Sequence, residues 1–217
     1  MSNTVGLSVF ILAVILFLGW FAVGTQLNIR KGERILRWLQ EGMRLAGEKT
    51  TLRWLGSSAV ELKVQKPKAP FQQVEIFIVL EPRDVPFIRW FFRARGRRDL
   101  FIIRIESADT PKFELEILDE GAWSTRDARA EVQRKHWAWS KVETGPGSAL
   151  TAYAQGVGAA EAAPRLLDLA TLPGCSVVRL AVHSATPTLE VQWQLAGLET
   201  LSSQQVFEKL RQMTELL

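Results

Sequence analysis

The sequence predicts an α+β fold behind a single N-terminal membrane-spanning helix, built from two units that each carry helices on one face of an antiparallel sheet and could pair edge to edge. Three observations support this reading. Residues 5–24 of the 217 contain no charged side chain, and this length matches the ~20 residues that a helix needs to cross the hydrocarbon core. The rest of the chain alternates short period-two apolar runs with helical stripes. These elements also follow an order that occurs twice: strand, strand, helix, strand, strand, helix.

The apolar run VGLSVFILAVILFLGWFAVG has Ser8 near one end and Trp20 near the other, where an interfacial aromatic would sit. A cleavable signal peptide is the rival reading. It calls for a basic start, a shorter apolar core and an A-x-A-like site, and the run shows none of these cleanly. No Lys or Arg precedes Val5, whereas Arg30, Lys31, Arg34 and Arg37 follow Gly24. The positive-inside rule then places the N-terminus outside and the remaining chain in the cytoplasm, against a cell inner membrane. The lone Cys175 allows no internal disulfide, as in a reducing compartment.

After residues 1–24, the segment 25–49 reads as a separate juxtamembrane amphipathic helix capped by Asn28 and stopped by Gly47. Ile35, Leu36, Leu39, Met43 and Ala46 form its apolar stripe, opposite Arg30, Glu33, Arg37, Gln40 and Arg44. Short strands follow at TTLRWL and AVELKVQ. QQVEIFIVLEP is apolar on both faces, as in a central strand. In DVPFIRWFFRARGRRD, Asp84 is placed to cap a helix, Pro86 to begin it and Gly96 to end it. DLFIIRIES and KFELEILD are strands, the second with Phe113, Leu115 and Ile117 inward and Glu114 and Glu116 outward. STRDARAEVQRK is a polar helix with Ser124 and Asp127 spaced as a capping box. HWAWSKVE, with Trp137 and Trp139 on one face, and ALTAYAQ are strands, and AAPRLLDLA is a helix. CSVVRLAVHS and TLEVQWQLAG are paired strands. The closing helix places Ser202 and Gln205 as a second capping box.

A shift of about 76 residues superimposes the two ββαββα runs. It sets Thr110, Pro111, Glu114 and Gly121 on Thr186, Pro187, Glu190 and Gly197. The expected organisation is therefore a duplicated ββαββα domain, with one unit at 50–133 and a second at 134–217.

Charge is unevenly distributed. Thr25 to Arg98 carries 16 Lys and Arg against 7 Asp and Glu, whereas Asp99 to Leu217 carries 11 against 16. The basic half is the tethered half, and each basic side chain near an anionic leaflet contributes about 1 kcal/mol. Catalytic groups are sparse. His136 and His183 lie in strands without acidic or Cys neighbours at ligand spacing. GVGAA lacks the third glycine and the βαβ setting of a dinucleotide loop. No cofactor or metal is indicated.

On a helical wheel, Arg89, Arg93 and Arg97 fall on one line, with Phe87, Ile88, Trp90, Phe91 and Phe92 on a broad arc opposite. In the plain reading Ile88 and Phe92, with Val85, pack on the sheet and the arginines stay in water. The apolar arc is wider than that role needs, which points to an interfacial helix. The membrane- or partner-binding residues are then Arg89, Trp90, Phe91, Arg93, Arg97 and Arg98. Glu114, Glu116, Asp119 and Glu120 form an acidic face for a basic partner. The expected function is a non-catalytic binding or assembly module at anionic lipid, with a protein partner. A membrane-anchored enzyme with a cleft between the units is the alternative. A nucleic-acid module is a weaker one, because the distal half is acidic and no recognition motif is present.

Overall fold

A computed structural model describes residues 2–134, 140–142 and 150–217. His136, Trp137 and Trp139 lie outside these residues. Helix α1 runs unbroken from Ser2–Ala46, so the expected connector and separate juxtamembrane helix are one continuous element. No proline or glycine pair interrupts residues 24–30. Asn28 is not a cap. It is buried inside the helix, where its Nδ2 donates to the carbonyl of Glu81 at 3.1 Å and its Oδ1 accepts from Arg83 at 2.8 Å.

α1 changes character along its length. Residues 4–23 are exposed, and from Gly24 onward a buried stripe begins: Gly24, Asn28, Gly32, Ile35, Leu39, Met43, Ala46. That stripe packs on the sheet, whose strands are β1 (Gly47–Trp54), β2 (Ala59–Pro67), β3 (Phe71–Val79), β4 (Leu100–Ser107), β5 (Glu114–Asp119), β6 (Ser140–Val142), β7 (Leu150–Gln155), β8 (Val177–Val182) and β9 (Leu189–Gln194). All pairings are antiparallel, in the order β1-β2-β3-β4-β9-β8-β5-β7-β6. The helices are α2 (Pro86–Ala94), α3 (Arg126–Arg134), α4 (Ala159–Ala170) and α5 (Ser203–Glu215).

From β2 onward the element order is the one read twice along the chain, but the strands of the two halves interleave. β5 sits between β8 and β7, and β9 sits beside β4. The alternation of β4 and β9 turns Phe101, Ile103, Ile105, Leu189, Val191 and Trp193 to one face, where α1, α4 and α5 close the main core. Not every helix lies there. Ala128 and Val132 of α3 are buried outside that core, and none of the described side chains of α2 is buried.

Candidate membrane-facing site

The base of α1 is bound to the domain by a polar cluster. Asp99, which precedes β4, accepts from Lys31 Nζ at 2.8 Å, from Arg83 Nη2 at 2.6 Å and from the Glu81 amide. Burial acts to raise the Asp99 carboxyl, but hydrogen bonds from Arg83 and Lys31 outweigh it and hold the group below the usual carboxylate range. A Cβ at Gly24 would run into the carbonyl of Arg83, so glycine is what lets α1 pass this close. The sequence portion LEPRD…GRRDLF supplies Glu81, Arg83 and Asp99. Its partners Asn28 and Lys31 come from α1.

α2 lies beside the exposed part of α1. Phe87 shares an apolar groove with Ala13, Phe17 and Trp20, and Trp20 Nε1 donates to the Arg83 carbonyl at 3.1 Å. The apolar side chains of α2 face outward: Phe87 is 79% exposed, Trp90 77%, Phe91 45% and Ile88 43%. The sheet-packing arrangement, with Ile88 against the strands, is therefore not observed. Arg89 and Arg93 turn toward the domain instead, at 3.7 and 3.5 Å from Oε2 of Glu81, which is 3% exposed. This carboxylate oxygen has no hydrogen bond, so two cations on the underside of α2 are its charge partners.

Other expectations for this stretch are corrected. Asp84 does not cap the helix. Val85 occupies that position, one residue later, and Asp84 Oδ2 accepts from Ser57 Oγ at 2.7 Å. Gly96 does end the turn after α2, with φ +80° in the left-handed region. Arg97 therefore lies past the end of the helix and off the Arg89–Arg93 line. Its guanidinium stands over the rings of Phe92 and Trp123, at 4.9 and 5.1 Å. Arg98 Nη1 donates to the carbonyls of Arg93 and Arg97, both at 2.9 Å.

The four acidic residues do not share one solvated face. Glu120 is exposed and accepts from Tyr153 Oη at 2.9 Å, Glu114 accepts from Ser184 Oγ at 2.8 Å, and Asp119 accepts from the Gly121 amide at 2.9 Å. Glu116 is buried. Arg179 binds both of its oxygens, and His183 Nε2 is 3.0 Å from Oε1. Burial acts to raise the Glu116 carboxyl, and the His183 and Arg179 hydrogen bonds overcome it, leaving the group below its usual range. Strict alternation correctly turns Glu116 away from the main core, but the sheet supplies partners rather than water.

Lys63, Glu75, Arg104, Glu190, Ala181, Glu116 and Tyr153 stand at matched registers on seven consecutive strands. Arg179 joins Glu116 to Glu190, and Arg104 Nε donates to Glu190 at 2.7 Å. Sequence reading missed this row because it depends on non-sequential pairing. Among the described residues, no group of three or more His, Cys, Asp or Glu is placed to hold a metal ion. The expected side-chain caps at Ser124 and Ser202 are not formed: a 3-10 turn, Trp123–Thr125, precedes α3, and Ser202 makes no cap hydrogen bond.

α1 carries one segment long and apolar enough to cross a membrane. Models of known protein families give no match to the chain, and neither do the curated proteins.

Proposed function

We propose that this chain is a single-pass, membrane-anchored, non-catalytic binding module, its N-terminus outside and the α2 end of its α+β domain held against the cytoplasmic surface. The observation that carries the reading is α2, a helix with outward Phe87, Ile88, Trp90 and Phe91 standing beside the apolar span of α1. Magnitudes favour a hydrophobic contact over an electrostatic one. Removing each such aromatic from water stabilises by about 1.5–3 kcal/mol, against about 1 kcal/mol for a basic residue near an anionic leaflet. Arg89 and Arg93 are also partly committed to Glu81. α2 therefore inserts through its aromatics, with the arginines on its inner side. Of the acidic residues, Asp119 and Glu120, together at one end of β5, remain the contact for a basic protein partner, whereas Glu114 stands at the strand's other end. The shared element order of the two halves supports an internal duplication as the origin of the fold, with β5 now inserted among strands of the second half.

The test uses the full chain in nanodiscs, with a nitroxide attached after Phe87→Cys, Trp90→Cys or Val157→Cys. Val157 is 92% exposed and lies at the opposite end of the sheet from α2. Labels at positions 87 and 90 are expected to be reached by oxygen and shielded from a water-soluble nickel chelate, with the reverse at 157. A label at 90 as open to the chelate as one at 157 would refute the reading.

An enzyme is the second reading, favoured by the buried carboxylates Glu116 and Glu190 with His183 at their rim. All four of their oxygens are already engaged by Arg179, Arg104, His183 and Gln192. That is the pattern of a structural charge network, with no oxygen left for a substrate proton.

A further inference from the structure

We propose that the recess between the turn after α2 and the 3-10 turn before α3 binds the phosphate of an anionic phospholipid headgroup. The inference rests on the interfacial placement of α2 proposed above. The recess is small, about 40 Å³, and lies at the α2 end of the sheet. Its rim is formed by Arg97, Arg98, Trp123, Ser124 and Gln194, over an apolar floor that includes Val79 and Leu100.

The polar lining is rich in donors and free of carboxylates. The Arg97 guanidinium stands 4.9 and 5.1 Å from the ring centroids of Phe92 and Trp123. Ring contacts use none of its N–H donors, which stay available to a ligand in the fork geometry that fits phosphate. Arg98 is oriented by the two carbonyls that its Nη1 meets, which leaves its other nitrogens available. Among the described residues, neither arginine meets a carboxylate, and the side chains of Ser124 and Gln194 make no hydrogen bond. Asp99, the acid next in sequence, is committed to Arg83 and Lys31. Two cations and a hydroxyl therefore converge on space that no protein anion fills.

The surroundings select a lipid as the source of the phosphate. Trp123, part of the rim, is 42% exposed, and its ring meets Phe92 of α2 edge-on at 6.3 Å. The apolar surface thus continues from the recess along α2 to the span of α1. A phosphate bound here would sit at headgroup depth, with its acyl chains beside Phe91 and Trp123.

The experiment titrates the full chain in a neutral maltoside detergent with short-chain phosphatidylglycerol. Short-chain phosphatidylcholine and inorganic phosphate form parallel arms, and binding is read by thermophoresis. Phosphatidylglycerol is expected to bind at least tenfold more tightly than either comparison. Arg97→Gln and Ser124→Ala should each weaken it about fivefold or more. Arg95→Gln, which removes the same charge from the same turn outside the recess, should change it less than twofold. Near-ultraviolet circular dichroism checks that each variant stays folded.

Equal losses for Arg95→Gln and Arg97→Gln would reduce the effect to general surface charge and overturn the site. Inorganic phosphate binding as tightly as the lipid would overturn the lipid assignment. Failure of the parent reading looks different: the label at position 90 would be water-exposed whatever the titrations give.

Discussion

At Asp99, burial and charge pull in opposite directions, and charge prevails. Its carboxyl is held below the ordinary range by Arg83 and Lys31, so it binds fewer protons when folded than when unfolded. Its stabilisation is therefore fully present above the ordinary carboxylate range and is lost as pH falls through the depressed folded value. Asp99→Asn should cost about 3 kcal/mol at pH 7, because it leaves two partly buried cations facing a neutral group. The variant should also lose less stability than the parent between pH 5 and 3. Urea unfolding in detergent micelles at those pH values measures both effects. Sequence reading did not find this cluster, because Glu81, Arg83 and Asp99 flank the Arg-rich helix rather than lie in it and their partner Lys31 is 68 positions from Asp99. Glu116 was misread for a related reason. Alternation tells which face a strand residue occupies, whereas its partners Arg179 and His183 are 63 and 67 positions away.

Among the elements, α1 and α2 separate what periodicity can reveal from what it cannot. The stripe Ile35, Leu39, Met43, Ala46 was legible and is buried as read. The continuity of α1 through Gly24 and Asn28 was not, because a glycine and an asparagine are local signals for an end, and packing overrode them. For α2 the wheel gave the amphipathic pattern correctly, but the side facing the domain is the arginine side. Gly42 shows the same contest in energetic terms. Helix propensity alone predicts that Gly42→Ala gains about 1 kcal/mol. A Cβ there would lie 2.5 Å from the Phe207 ring and 2.6 Å from the carbonyl oxygen of Ser203 on α5. Overpacking of this kind costs about 1–3 kcal/mol, and a backbone atom cannot swing aside. Gly42→Ala should therefore lower the thermal midpoint. Gly6→Ala, where nothing stands within 4 Å, should not. Differential scanning fluorimetry of both variants decides whether packing governs this helix.

For the molecule as a whole, the helix that carries the apolar segment is also part of the core. Ile35, Leu39, Met43 and Ala46 of α1 belong to the same buried cluster as Val191, Phe207 and Leu210. A fragment beginning at Thr50 would expose that cluster and lose β1 pairing at Gly47 and Lys49. It is expected to aggregate, while a fragment beginning at Gly24 should give a cooperative unfolding transition. Size-exclusion chromatography and denaturant titration of the two distinguish these outcomes. From β1 onward the order of helices and strands was legible in the sequence. The interleaved strand order was not, since β4 pairs with β9 and β5 with β8 across long sequence separations that no local pattern encodes. On the anchoring proposed above, the hinge-free passage of α1 from the sheet into its apolar segment has a kinetic consequence. A domain on a flexible stalk sweeps a hemisphere above the bilayer, but this one would have no lever arm. Its encounters would become a two-dimensional search, paced by lateral diffusion and by copies per unit area of membrane. A partner dissolved in the bulk would have to descend to the lipid surface before the two could meet.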